Sequence, residues 1–168
     1  DIPDITSDIQ NYERKLDFEL ESSQIGNSEM QYLDFAYANS LIRTFMNDSS
    51  LVLTIRGRKY TPSFKFNIGN YSLEVESVQT EVDAGYEGKA SIVLIEAKNT
   101  SASNTIIRQL YYPYRQWQIN TTKEVLPVFF EKRVIDGENI FYIWQYAFTD
   151  SNNYDSIKLV QSGRFRII

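Results

Sequence analysis

Two neighbouring stretches decide how this chain is read: Gln79-Thr80-Glu81-Val82-Asp83 and, after a gap containing Gly85 and Gly88, Ile92-Val93-Leu94-Ile95-Glu96-Ala97-Lys98. The second holds four consecutive branched apolar residues, Ile92 to Ile95. A strand of that kind is buried on both faces, which puts it inside a sheet. The first is acidic and alternating. Side chains two apart on a strand share a face, so Gln79, Glu81 and Asp83 are expected on one side and Val78, Thr80 and Val82 on the other. If the two strands pair antiparallel across a turn at 84–90, Asp83 approaches Glu96, and Glu96 shares its face with Lys98.

Outward from this hairpin, elements follow by their periodicity. Ser28 with Gln31 three residues later reads as a capping box. Met30, Leu33, Tyr37, Leu41 and Phe45 then follow at helical spacing, so one long helix is expected up to Asn47-Asp48-Ser49-Ser50. Leu51–Tyr60 and Phe64–Ile68 alternate as strands, and Leu73–Asp83 reads as one long strand. The three are expected in succession as an antiparallel meander, with Gly69-Asn70 a turn. After the polar stretch 99–104, with Ser103 or Asn104 as a cap, a second helix is marked by Ile106, Ile107, Leu110, Tyr111 and Tyr114. Pro113 should kink or split it. Val125–Val134 and Ile140–Phe148 read as strands around the turn Asp136-Gly137-Glu138-Asn139. Ser156–Gln161 and Arg164–Ile168 read as two short strands separated by Gly163. Residues 1–11 read as loose or extended. Tyr12–Ser22 fits a helix through Tyr12, Leu16 and Leu20, or a strand through Leu16, Phe18 and Leu20. The fold class is α/β, a mixed central sheet flanked by helices. One domain over residues 1–168 is expected, with 1–27 a peripheral segment.

Composition narrows the chemistry. The chain has 168 residues, enough for one sizeable core. It contains no histidine and no cysteine. That excludes disulfide scaffolds, Cys/His zinc sites, thiol nucleophiles and every mechanism with a histidine base. Carboxylates, Lys, Arg, Ser, Thr and Tyr remain, alone or with a hard metal that prefers oxygen. The net charge of −5 is unevenly spread. Residues 1–50 hold ten acidic and three basic residues, whereas 51–168 are slightly basic. No apolar run approaches the roughly 20 residues of a membrane-spanning helix, and no targeting segment is read at the N-terminus. The first residue is Asp1 rather than Met, which fits a piece of a longer chain.

Two carboxylates aimed into one space repel and raise each other's pKa. Asp83 and Glu96 therefore call for a cation. Mg2+ suits them, because it takes one or two carboxylates and completes its shell with water and substrate phosphate. The Ala97 carbonyl could add a ligand. Lys98 could orient or deprotonate a water, or stabilise charge growing on a phosphate. Arg56, Arg58 and Lys59 form the densest basic run, and Arg108 and Arg115 lie on the second helix. All five are candidates for gripping DNA phosphates.

This pattern resembles the PD-(D/E)XK nuclease superfamily, in which an Asp and a Glu-x-Lys sit on neighbouring strands of a mixed sheet. Asp83, Glu96 and Lys98 match the three motif positions, with Val82 where the motif's name has Pro. The longer phrases Ser28-Glu29-Met30-Gln31-Tyr32-Leu33-Asp34, Glu81-Val82-Asp83-Ala84-Gly85-Tyr86-Glu87-Gly88 and Arg108-Gln109-Leu110-Tyr111-Tyr112-Pro113-Tyr114-Arg115 are similar to those of a group of type II restriction endonucleases. The resemblance implies a restriction-endonuclease-like fold and Mg2+-dependent hydrolysis of double-stranded DNA by a homodimer. It also implies a prokaryotic cytoplasmic setting, with a cognate methyltransferase as a companion. It makes Glu29 a helix-borne auxiliary acid, Glu81 a supporting or alternative ligand, and Gln109 and Tyr112 supports of the site. Two other readings compete with it: a nuclease-fold domain that binds or scaffolds without cutting, and an antiparallel β module whose acids are surface. The second predicts Asp83 far from Glu96.

Overall fold

The apolar run Ile92–Ile95 lies inside a sheet, buried along its length. In the computed structural model, which describes residues 2–98 and 107–168, the elements run β1 (Gln10–Tyr12), α1 (Glu29–Ala38), α2 (Leu41–Phe45), β2 (Val52–Tyr60), β3 (Phe64–Ile68), β4 (Tyr71–Val75), β5 (Gln79–Glu87), β6 (Ser91–Lys98), α3 (Ile107–Asn120), β7 (Glu124–Ile135), β8 (Glu138–Phe148) and β9 (Ile157–Ile167). Seven strands form one sheet in the order β1-β9-β8-β7-β6-β5-β2, and β3 with β4 forms a separate ribbon. β6 and β7 are parallel, as are β1 and β9; the other pairs are antiparallel. The protein is therefore mixed α/β with a core built mostly of sheet. The parallel step from β6 to β7 needs a crossover, and α3 supplies it. The cap at Ser103 or Asn104, and Ile106, lie outside the described residues.

A hydrophobic layer covers each face of the sheet. On one, Leu110, Tyr111 and Tyr114 of α3 pack with Ile92, Leu94, Phe129 and Trp144, and with Phe64 and Phe66 of the ribbon. On the other, Leu33 and Ala36 of α1 and Leu41 and Ile42 of α2 pack with Val93, Ile95, Ala97, Phe130 and Ile143. The alternation of β6 between the two layers explains its unbroken apolar run.

Several expectations change. The single helix from Ser28 is two, because Ser40 takes a left-handed backbone (φ 64°) between α1 and α2. Ser28 Oγ accepts from the Gln31 N–H at 3.2 Å. The Gln31 side chain instead donates to the carbonyls of Ser22 and Ile25, so only half of the capping box forms. The stretch Leu73–Asp83 is not one strand; Ser77, at φ 49°, interrupts it. The meander is lost with it, since β2 pairs directly with β5 and the ribbon stands outside the sheet. The turn at 84–90 shrinks, because β5 continues to Glu87. Gly85 stays in the strand, where an added Cβ would lie 2.6 Å from that of Ile55. β9 runs through Gly163 as one strand, and α3 runs through Pro113 without splitting.

The N-terminal stretch is not loose. Ile2 and Ile5 are buried, Trp144 Nε1 donates to the Pro3 carbonyl at 2.8 Å, and β1 extends the sheet. Tyr12–Ser22 is neither the helix nor the strand the spacing allowed; only Tyr12 joins β1. Among the described residues, no helix is long and apolar enough to cross a membrane.

Candidate active site

β5 and β6 pair from Glu87–Ile92 to Ala84–Ile95, and the ladder ends there. Beyond it, Asp83 Oδ2 accepts a hydrogen bond from the Ala97 N–H at 2.7 Å. A side chain thus takes the place of a ladder bond, and the strands fork around it. The fork has a local cause in the pairing with β2. Between the Ile55–Gly85 and Gly57–Val82 pairs, β5 carries one residue more than β2. Such a bulge breaks the alternation and re-aims side chains. Val82 accordingly packs in the layer under α3, while Ala84 and Tyr86 pack in the layer under α1. Alternation holds from Gln79 to Val82 and breaks beyond Val82. Thr80 lies on the side of Val82, as its spacing predicts, and donates to Gln116 Oε1 of α3 at 2.5 Å.

Glu96 continues the face of Ile92 and Leu94 and is only 9% exposed. Its Oε1 lies 3.4 Å from Lys98 Nζ. Burial, and then the charge of Asp83, push the Glu96 carboxyl up to about 7, against the pull of Lys98. Burial also raises the Asp83 carboxyl; its bond from Ala97 and the Lys98 charge oppose the rise, and Glu29 and Glu81 add to it. The pair is therefore short of positive charge. One lysine faces a buried acid, Glu96, and a half-buried one, Asp83, and two further carboxylates stand nearby.

All of these groups line one cleft of about 500 Å3. Its walls carry Glu29 at the start of α1, Gln79, Glu81 and Asp83 of β5, and Glu96 and Lys98 of β6. Arg108, Gln109, Tyr112 and Pro113 of α3 close the other side. Every acid expected around the hairpin, and both polar residues expected on the second helix, thus meet at the fork. Tyr112 also packs its ring on Phe64 and Phe66, with centroids 5.7 and 5.9 Å away. Among the described residues, no three acidic side chains gather as a ready metal cage. What is present is a carboxylate pair, Asp83 and Glu96, with the Ala97 backbone between them. That donor set fits Mg2+, which uses few protein ligands and keeps its waters.

The basic candidates separate. Arg56 donates to both Asp34 oxygens, at 2.6 and 3.3 Å. Arg58 sits 3.6 Å from Glu81, with both side chains largely exposed. Lys59 is exposed, and its carbonyl accepts from Thr80. Arg108 lies at the cleft with its guanidinium 5.2 Å from the Tyr112 ring centre. Arg115 is in the core instead. It is 8% exposed, donates to the carbonyls of Lys65 and Ser151 and to the Tyr111 hydroxyl, each at 3.0 Å, and lies over Phe64. It ties α3 to the ribbon, with Nη1 making all three bonds inside the fold.

Sequence reasoning missed Thr80 as a cleft residue, because alternation sets it on the face opposite Glu81 and Asp83, and only the cleft wall takes in both. It also missed Glu131, which is fully buried, paired in register with Lys98, and held by Arg133 Nε at 3.0 Å. A charged residue inside the apolar strand Val125–Val134 was the available signal.

Fold and site together define a mixed α/β protein with an acidic, lysine-bearing cleft at a strand fork. The chain belongs to the family described as a domain of unknown function, DUF6997, which matches residues 1–166. Comparison with curated proteins and with solved structures gave no match.

Proposed function

We propose that this chain is a Mg2+-dependent endonuclease of the PD-(D/E)XK type with a restriction-endonuclease-like fold, cutting double-stranded DNA as a type II restriction endonuclease or its catalytic domain. The observation that carries the reading is the meeting of Asp83, Glu96 and Lys98 at the β5–β6 fork, open to a cleft and short of positive charge. A β module with surface acids predicts separation of Asp83 and Glu96, which is not what the fork provides.

Asp83 and Glu96 would hold Mg2+, with the Ala97 backbone beside them. Bound there, the ion supplies Lewis acidity and a lowered pKa for water. Asp83 has a fixed direction, because the Ala97 N–H holds its Oδ2. Glu96 is kept close to Lys98, so the lysine stays near the reacting phosphate. Lys98 orients the water whose oxygen bonds to phosphorus as the P–O bond to the leaving strand breaks, and offsets charge on the phosphate oxygens; the water gives up a proton to solvent and the leaving oxygen takes one from it. The α1 acid Glu29 and the β5 acid Glu81 support the same space. Gln109 and Tyr112 fix the α3 wall, and Arg108 with the Arg56–Lys59 run offers positive charge to the DNA backbone. The reading extends to a homodimer, which places one such cleft on each strand of a duplex. It also extends to a prokaryotic cytoplasm in which a methyltransferase protects host DNA.

The test is incubation of the purified chain with plasmid and phage DNA of varied sequence, with Mg2+ or with EDTA, beside Asp83→Ala and Lys98→Ala. Mg2+-dependent cleavage by the unaltered chain, lost in both variants, supports the assignment. Cleavage that ignores EDTA, or that survives both substitutions, overturns the mechanism.

A further inference from the structure

β2 and β5 are antiparallel neighbours whose ends, Tyr60 and Gln79, are paired in register. A hairpin of that kind closes in a few residues. Here the chain leaves the sheet at Thr61, builds the whole β3–β4 ribbon, and returns at Val78. The ribbon gives one face to the core and leaves the other outside it. β3 buries only Phe64 and Phe66, and of β4 only Val75 is even partly buried.

The ribbon is nevertheless held firmly, and beside the cleft. Phe64 and Phe66 sit against Tyr112, a cleft wall residue, and β4 leads into Gln79, another. Near its tip, the Asn67 N–H donates to the Asn152 carbonyl at 2.6 Å and the Gly69 N–H to Asp155 Oδ2 at 2.8 Å. β3 is thus fastened at both ends.

The face turned away from Phe64 and Phe66 is polar. Cross-strand pairing places Lys65 opposite Glu74 and Asn67 opposite Ser72. All four residues are exposed. Among the described residues, none of these side chains takes part in a hydrogen bond, and Lys65 and Glu74 form no ion pair. Four uncommitted polar groups on a rigid two-stranded ribbon, next to a phosphodiester-cutting cleft, match one partner in shape and chemistry. The major groove admits a two-stranded ribbon, and its base edges are read by such side chains: guanine acceptors by Lys, adenine by Asn, the cytosine amino donor by Glu, and either kind of edge by Ser. We infer that the β3–β4 ribbon enters the DNA major groove beside the cleft and reads bases through Lys65, Asn67, Ser72 and Glu74. The inference rests on the proposed DNA-cutting activity and adds the element that selects where the cut falls.

The test uses the full chain, with Mg2+, on a pool of duplexes randomised in sequence, and the cut ends are sequenced. The unaltered chain is compared with Asn67→Ala/Ser72→Ala and with Lys65→Ala/Glu74→Ala. Because these side chains are exposed and unbonded, the variants should melt with the unaltered chain, and a thermal melt confirms that they fold. The expected result is a total cleavage rate on the pool near that of the unaltered chain, with discrimination at one or more base positions falling roughly tenfold for each base-reading side chain removed. Unchanged base preferences in both variants, or cleavage by the unaltered chain with no preference at all, overturn the ribbon assignment while the proposed nuclease stands. No cleavage by the unaltered chain overturns the nuclease, and the ribbon reading with it.

Discussion

Asp83 Oδ2 accepts the Ala97 N–H at 2.7 Å, one residue beyond the last backbone pair between β5 and β6. This one bond has two duties. It satisfies a strand amide that the fork leaves without a ladder partner, and it fixes the carboxylate against its neighbour Glu96.

The two duties separate by substitution. Asp83→Asn keeps an acceptor for the Ala97 N–H and removes the charge. Without metal it should fold as well as the unaltered chain or better, because burial already opposes the charged form of Asp83. Asp83→Ala leaves the amide unpaired and should cost about 1–3 kcal/mol. Both should lose Mg2+ binding and cleavage. Denaturant melts in EDTA check the first point, and equal stability of the two variants would show that the bond does not hold the fork.

Glu96 gives a pH signature. Its carboxyl is raised from 4.5 to about 7 by burial and by Asp83. The folded state therefore binds this proton more tightly than the unfolded chain does. The stabilisation it brings is complete below about 4.5 and is lost as pH rises through about 7. The metal-free protein should become less stable across that window. Mg2+ competes with the proton, so the upward shift in Tm on adding Mg2+ should be small at pH 5 and large at pH 8. Melts with and without Mg2+ at both values test this; equal shifts would remove Glu96 from the metal site.

How much of this was legible in the sequence depends on whether the signal was local. Ile92–Ile95 announced an interior strand because burial on both faces leaves a continuous apolar run. Asp136-Gly137 announced the β7–β8 hairpin because both residues need positive φ, and they have it, at 51° and 79°. Asp83, Glu96 and Lys98 were legible because short sequence separation and strand pairing bring them together. The bulge in β5 was not, since the extra residue is defined only against β2, and β2 is distant in sequence. Nor was the placement of Arg115. Its helical spacing from Tyr111 and Gln109 fits a wall residue or a core residue equally well, and only the ribbon folding over α3 decides.

That placement makes two arginines of α3 behave in opposite ways. Arg115→Ala removes three hydrogen bonds and a guanidinium packed on Phe64, leaving the Lys65 and Ser151 carbonyls short of a donor. It should destabilise the fold by on the order of 2–4 kcal/mol. Arg108 is exposed at the cleft, so Arg108→Ala should change stability by less than about 0.5 kcal/mol. It should weaken duplex binding and lower the salt dependence of binding by about one counterion. Urea melts and a salt titration of binding separate the pair. An Arg115→Ala variant that keeps full stability would contradict the core assignment.

Two glycines that both read as turn residues test the same distinction for the backbone. Gly137 has φ 79° and open space around the position of a Cβ. Its requirement is conformational, so Gly137→Ala should cost about 1 kcal/mol and Gly137→Asn less, since Asn tolerates the left-handed region. Gly85 has no such φ. A Cβ there would meet the Ile55 side chain at 2.6, 2.9 and 3.2 Å, all within the β2–β5 pair. Its requirement is space, so Gly85→Ala should cost about 1–3 kcal/mol by overpacking, and Gly85→Asn more. Gly85 is also two residues from Asp83, beside the bulge that opens the fork. Spreading β2 from β5 there should move Asp83 away from Ala97. Gly85→Ala is therefore expected to reduce Mg2+-induced stabilisation as well as metal-free stability, whereas Gly137→Ala reduces only the latter. Thermal melts of both variants with and without Mg2+ decide the matter, and an undiminished Mg2+ shift in Gly85→Ala would show that the bulge does not govern the position of Asp83.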